Sequence, residues 1–457
     1  MRVHRPTLRR LRALLLPLSV SLLLAPTACD DDTASSGEFD HRSDFEPIGL
    51  PPPDAAIPPR DARPPDPDDG IPPPDAGVEV RPLTLRFVPL TQDSGALRIT
   101  DLVFLPEPVG DFLVLDKDGE VVHMRLDGDQ AHRLGSFTIE DTWSDSDAGL
   151  ISVATDPLFT VNHFIYLGIS INQRTNVIRR YTFDPTDYAA TRASERLVID
   201  ITGDRAPRSW HNVGSIGFTR EGHLWALFGD KVLGEPAQDV GSPLGALLRI
   251  SPDHDEDGGY DIPADNPYAD GSGHPAVWAK GMRSPWKGFY DPADGDFWFG
   301  DVGLDAFEEL NRVSAPRLNF GWPDVEGPCA EACDDFEAPW LSYGRSSSHA
   351  FVQGDPQATT SRLRSIWVGG RHLAQPGVAD PYEGRWSGVV VFGDSWSGFV
   401  RATPVDGAGE SFPVGHLHAA TAMRQAPDGY VYATALGTWP VEAPVVASPI
   451  YRVELAD

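Results

Sequence analysis

From about residue 82 onward, one unit recurs: an apolar strand, an acidic-glycine turn, an aromatic-rich strand and a Gly-Asp exit. It reads GFTREGHLWALFGD over residues 217–230, YDPADGDFWFGD over 290–301 and APDGYVYA over 426–433, with weaker copies at 112–119 and 156–159. Short runs of Val, Ile, Phe, Tyr and Trp bounded by such turns are strands, and little of this stretch carries a helical period. Imperfect copies of one β-unit stack so that each buries its faces against its neighbours, which is the construction of a propeller. At ~60 residues per blade, above the ~40–50 of simple repeats, the stretch makes about six blades. The expected fold is therefore all-β, a six-bladed β-propeller over residues 81–457. A tandem of β-sandwiches is the alternative, but it does not require the repeated Gly-Asp exits.

The segments before the propeller concern location. Arg2, Arg5, Arg9, Arg10 and Arg12 precede an apolar run at residues 14–24. That run is short for a membrane span, which needs roughly 20 apolar residues, and suits a signal peptide over residues 1–28. Pro26-Thr27-Ala28-Cys29 resembles a bacterial lipobox, with Pro26 where Leu or Val is usual, so Cys29 is expected to be lipidated. Ordinary cleavage and free secretion is the alternative. Of three cysteines, Cys329 and Cys333 are close enough to pair as a disulfide in an oxidising compartment, leaving Cys29 as the odd one. A metal site using Cys329 and Cys333 would need further ligands, and no nearby cysteine or histidine supplies them. Residues 29–80 are dense in Pro and Asp, which excludes helix and favours an extended linker. The net charge of −30 becomes more negative once the arginine-rich leader is lost. It opposes binding to nucleic acid or anionic lipid and is compatible with a neutral sugar. The expected location is the cell envelope, on the periplasmic or extracellular face, with the membrane reached only through the lipid.

Three stretches carry a family resemblance: AVWAKGMRSPW at 276–286, DVGLDAFEELN at 301–311 and NFGWP at 319–323. In order and spacing they resemble the pyrroloquinoline-quinone (PQQ)-dependent glucose/sorbosone dehydrogenases, a family that includes soluble aldose dehydrogenases and Hedgehog-interacting-protein-like propellers. The resemblance covers the chain after the linker. It implies an oxidoreductase acting on a sugar CH-OH group, with PQQ, calcium and an external electron acceptor. His211, in SWHNVG at 209–214, matches the histidine that serves the family as base. An imidazole with its ordinary pKa near 6.5 suits that task. Arg283 matches the arginine beside the quinone, where a fixed guanidinium holds carbonyl or carboxylate oxygens. Ser284 follows it where the family has Asn. Asp230 matches the family's Gly-Asp, as a cofactor-side group or a turn carboxylate capping amides. The resemblance puts calcium on the backbone carbonyls of Gly303 and Leu304, and Glu309 matches an acidic ligand of a second calcium site. The loop DHDEDG at 253–258 is either a further calcium loop or a solvated turn.

The departures concern charge. Ala419 and Thr421 stand where the family carries two arginines that grip the cofactor, and Arg424 is out of phase with them. The lysine usual after Gly369-Gly370 is absent, though Arg371 and His372 are nearby, and Asp147 replaces a Glu or Gln near the sugar pocket. Arg371, His416 and His418 are the candidates for a substitute grip. Two readings follow: an exported PQQ- and calcium-dependent aldose dehydrogenase, or a catalytically silent propeller that binds a glycan or protein partner. Replacing Cys29→Ala is expected to abolish lipid labelling and to release a folded protein from membranes. Unchanged membrane partition would reject the lipobox.

Overall fold

The computed structural model describes residues 82–255, 257–329, 334–346, 351, 364–437 and 447–456. The leader, the linker, Cys29 and Cys333 lie outside the described residues. Six separate sheets follow one another along the chain, each an antiparallel meander of four strands with short additions. Their inner strands are Ile99–Phe104, Leu150–Thr155, Val213–Phe218, Pro285–Asp291, Ile366–Gly370 and Ala420–Gln425. We number the blades one to six in that order. Each inner strand packs on the next, and the sixth packs on the first, so the ring is closed. This is the six-bladed propeller expected from the repeats.

Closure comes from the two ends of the domain. The strand Leu85–Pro89 is the outermost strand of blade six, antiparallel to Ile450–Leu455, with Leu85 opposite Leu455 and Phe87 opposite Val453. An early segment thus completes the last sheet, so opening the ring would break backbone pairing as well as side-chain contacts.

Apolar layers between blades hold the ring. Tyr166 and Ile178 of blade two meet Ile216 and Phe228 of blade three, while Leu310 and Tyr343 of blade four meet Phe392 and Phe399 of blade five. Full burial of such a side chain contributes about 1.5–3 kcal/mol. The axis is polar. Asp101 of blade one accepts from Ser152 of blade two at 3.0 Å and from Arg424 of blade six at 2.9 Å. Lys287 of blade four donates to the Ile151 carbonyl at 3.0 Å and lies 3.9 Å from Asp101. Burial pushes the Lys287 amine down to about 8. The channel floor is therefore a cross-blade ion cluster, and Arg424 is committed to it.

The aspartates that end the second strands have a common job. In blades one, four and five the aspartate ending the second strand takes backbone amides from the segment leading into its own blade's inner strand. Asp116 accepts from Leu97 and Arg98 at 2.7 and 3.1 Å, and Asp301 from Arg283 and Ser284 at 2.9 and 2.6 Å. Asp394 accepts from Ser365 at 2.9 Å, from the Ser397 amide at 2.7 Å and from the Tyr343 hydroxyl at 2.8 Å. Each buried donor left without an acceptor costs about 1–3 kcal/mol. Asp394→Ala is therefore expected to destabilise the propeller by about 3 kcal/mol or more in chemical denaturation. A loss below about 1 kcal/mol would show that these bonds do not brace the blade.

Candidate functional site

Because every inner strand starts at the same end of the ring, the segments leading into them converge there. They wall a cavity of about 440 Å³ to which all six blades contribute. His211, Arg283 and Ser284 are on its wall.

His211 sits two residues before the third inner strand with φ of +56°. That left-handed conformation is uncommon for a residue with a side chain, and two contacts hold it. The His211 amide donates to Asp147 at 2.8 Å, and Nδ1 contacts Asp230 Oδ1 at 2.5 Å. Nε2 makes no hydrogen bond among the described residues. The glycines of both motifs have steric roles here. A Cβ on Gly229 would lie 2.5 Å from the His211 carbonyl oxygen, and one on Gly214 would lie 2.3 Å from that of Pro285. Only glycine lets the histidine turn and the fourth blade come this close.

Asp230 is the exit aspartate of blade three, yet it takes no amide from the leading segment. The His211 amide has gone to Asp147, and Asp230 takes the His211 ring instead. It also accepts from the Val232 and Gly234 amides at 2.7 and 3.0 Å and from the Trp322 indole at 2.8 Å. Burial works to raise its carboxyl, but the His211 bond and charge, Trp322 and the Val232 amide bring it below the ordinary range. The carboxylate form is thus favoured beside the imidazole. Asp230 therefore caps a turn and orients the histidine at once. Its own amide donates to the Arg283 carbonyl at 2.9 Å, which ties the histidine's blade to the arginine's.

Arg283 projects from the head of blade four. Its Nη1 donates to the Val302 carbonyl at 2.6 Å, and its guanidinium lies 5.3 Å over the Trp322 ring. Burial pushes its pKa down, and its buried Nε has no hydrogen-bond partner among the described residues. The Ser284 amide is held by Asp301, leaving its side chain at the wall. Burial and the adjacent Glu309 carboxylate hold Asp301 up at about 8.

The calcium assignment fares differently. Val302 reaches the cavity wall, but Gly303 and Leu304 do not. Glu326 Oε1 accepts from the amides of residues 304, 305, 306 and 307 at 2.8–3.1 Å and gathers the turn around itself. Glu309 is occupied by the Gly327 amide at 2.5 Å and the Asn311 amide group at 3.1 Å. Among the described residues, no three His, Cys, Asp or Glu side chains form a metal cluster. In the 253–258 loop the Asp253 and Asp255 carbonyls accept from Arg180, and Asp255 caps the Asp257 and Gly258 amides, which makes it a braced turn. Cys329 is disulfide-bonded.

The substitute-grip candidates are elsewhere. Arg371 pairs with Asp291 and Asp294 at 3.0 and 3.1 Å, and neither His416 nor His418 reaches the wall. Ala419 and Thr421 do line the cavity, but Thr421 is spent on a 2.8 Å bond to Thr434. The motifs did not point to Arg98, Lys117 and Arg364, three further cations on the wall, or to the indoles of Trp210, Trp286 and Trp396. Their shared position at strand heads and second-strand exits was the available sign. Behind His211, the buried Lys231 donates to Asn212 at 2.5 Å, and Asn212 donates to Asp147 at 3.0 Å. Burial lowers the Lys231 amine to about 8. Asp147 keeps an open face on the cavity while protein surrounds the rest of it, and that desolvation raises its carboxyl.

Fold and site together define a six-bladed propeller that presents a carboxylate-oriented histidine and a half-buried arginine to one cavity. Residues 98–357 match the glucose/sorbosone dehydrogenase family profile. The chain belongs to that family. The HIPL1 protein of Arabidopsis thaliana is 31% identical over 175 residues, 34% of this chain and 25% of that protein, so the match spans about a quarter of that relative. An uncharacterized Synechocystis protein is 25% identical over 71% of this chain and 78% of its own length. Among solved structures, the PQQ-bound aldose sugar dehydrogenase of Streptomyces coelicolor superposes with a TM-score of 0.59 at 20% identity, covering 82% of this chain and 99% of that one. The soluble aldose sugar dehydrogenase of Escherichia coli gives 0.62 at 19% identity, covering 82% and 100%. These two likenesses concern the fold.

Proposed function

We propose that the chain is an exported sugar dehydrogenase, anchored through Cys29, that oxidises an aldose hydroxyl with PQQ and passes the electrons to an external acceptor. The observation that carries this reading is the His211–Asp230 pair at a cavity it shares with Arg283. With Nδ1 engaged by the Asp230 carboxylate, Nε2 is the nitrogen free to take the hydroxyl proton, and the carboxylate stabilises the imidazolium that forms. Bound PQQ would supply the two-electron acceptor for the hydride leaving the same carbon. The wall suits such a group: three indoles offer flat apolar surface to a planar ring system, and Arg283 brings a guanidinium to the wall for its oxygens.

The backbone carbonyls of Gly303 and Leu304 would be the ligands of calcium, and no step is assigned to it. Asp147, beside His211, is placed to hold a sugar hydroxyl. The second reading, a silent binding propeller, is favoured by the uncharged Ala419 and Thr421.

Reconstitution of the full chain with PQQ, calcium being present in the buffer, is expected to give bound-cofactor absorbance and dye-linked sugar oxidation. His211→Ala should lower turnover by about a hundredfold or more while the cofactor stays bound. If PQQ binds and His211→Ala oxidises sugar as fast as wild type, the base assignment fails. If wild type binds PQQ and oxidises no sugar, the silent reading stands.

A further inference from the structure

We infer that the anionic cofactor is gripped from blades five and one, by Arg364, Lys117 and Arg98, in place of the basic pair missing from blade six. The inference rests on the dehydrogenase reading above. It starts from the position of the gap. Blade six brings Ala419, Thr421, Leu436 and Gly437 to the cavity, and none of them is charged. Its two neighbours in the closed ring are blades five and one, whose inner strands pack directly on Ala420–Gln425. Those neighbours place cations at the corresponding level: Arg364 two residues before the fifth inner strand and Arg98 one residue before the first. Blade one adds Lys117 from the exit of its second strand, Asp111–Asp116. The cations therefore flank the uncharged segment on both sides.

The charge balance supports a ligand rather than a structural purpose. The chain carries 67 acidic residues against 37 basic ones, yet the wall has four cations, counting Arg283, and one carboxylate, Asp147. Lys117 is 9% exposed. Taking charge out of water in this way is costly unless a counter-charge arrives. Asp118 partly neutralises Arg98, and Lys117 donates to the Ala148 carbonyl at 2.5 Å, a neutral acceptor. The Lys117 amine is lowered to about 8, first by burial and then by Arg98, while Asp118, Asp147 and Asp145 act to raise it. A polycarboxylate entering between Arg364 and Lys117 would meet both cations and favour the charged amine.

The test is PQQ binding to the full chain, read by cofactor absorbance and indole quenching. Each lost charge-assisted contact is worth about 1.5–3 kcal/mol, or roughly ten- to a hundredfold in Kd. Arg364→Gln and Lys117→Met are each expected to weaken binding by that factor, and Arg364→Lys by less than Arg364→Gln. Arg86→Gln, on the outer strand of blade six, should leave binding unchanged. Wild-type affinity should fall as pH rises through about 8, where Lys117 loses its proton, and Lys117→Met should lose that dependence. Thermal unfolding checks that each variant is folded. If Arg364→Gln does not fold, Lys117→Met and Arg364→Lys still decide. If wild type binds and the folded variants bind within twofold of it, the relocated grip is wrong while the dehydrogenase reading survives. If wild type does not bind PQQ at all, that reading falls and this inference with it.

Discussion

The exit aspartate is the interaction on which the site depends. A propeller must keep the heads of its inner strands at fixed positions although no regular ladder covers them. In blades one, four and five, a buried aspartate at the end of the second strand does this by accepting amides at the head of its own blade's inner strand. Blade three carries the same aspartate, but Asp147 has taken the amide that Asp230 would otherwise accept. Asp230 is left with an oxygen for an imidazole. A brace for folding has thereby become the group that orients the candidate base, with no change in the local strand pattern.

That substitution explains why the fold and part of the site were legible in the sequence. The Gly-Asp exits mark the blades because both residues answer to local geometry: the glycine admits a close backbone, and the aspartate caps amides. His211, Asp230, Arg283 and Ser284 were found because they sit within those same units. The absence of charge at Ala419 and Thr421 and the wrong phase of Arg424 were equally readable, since strand alternation decides which side chains face the cavity and which face the axis. Arg98, Lys117 and Arg364 were not found. Their proximity to blade six depends on ring order, and blade one meets blade six only through closure. The calcium expectation at Gly303 and Leu304 follows from the fit of the motif there to the family. What bends that turn is Glu326, a residue beyond the motif that collects four consecutive amides.

Electrostatics divides the molecule into two parts. The surface is acidic enough to discourage nucleic acid and anionic membranes. The cavity is lined by cations, of which Lys117 and Arg364 are buried, where interactions are screened less than at the surface. A neutral sugar does not call for cations on the wall, whereas an anionic ligand would be held by them. The polar axis below, with Asp101 shared by Arg424 and Ser152 and with Lys287 nearby, closes the floor without adding free charge to the cavity.

The central claim is that Asp230 fixes the His211 ring so that Nε2 is the free nitrogen at the cavity. Nitrogen-15 NMR of the histidine-labelled full chain, with His211 assigned by comparison with His211→Ala, reads this directly. The account predicts that neutral His211 carries its proton on Nδ1, with Nε2 resonating as an unprotonated imine nitrogen. It further predicts that Asp230→Asn mixes the tautomers. A wild-type His211 protonated on Nε2 would contradict the account, because the nitrogen facing the ligand could then accept no proton.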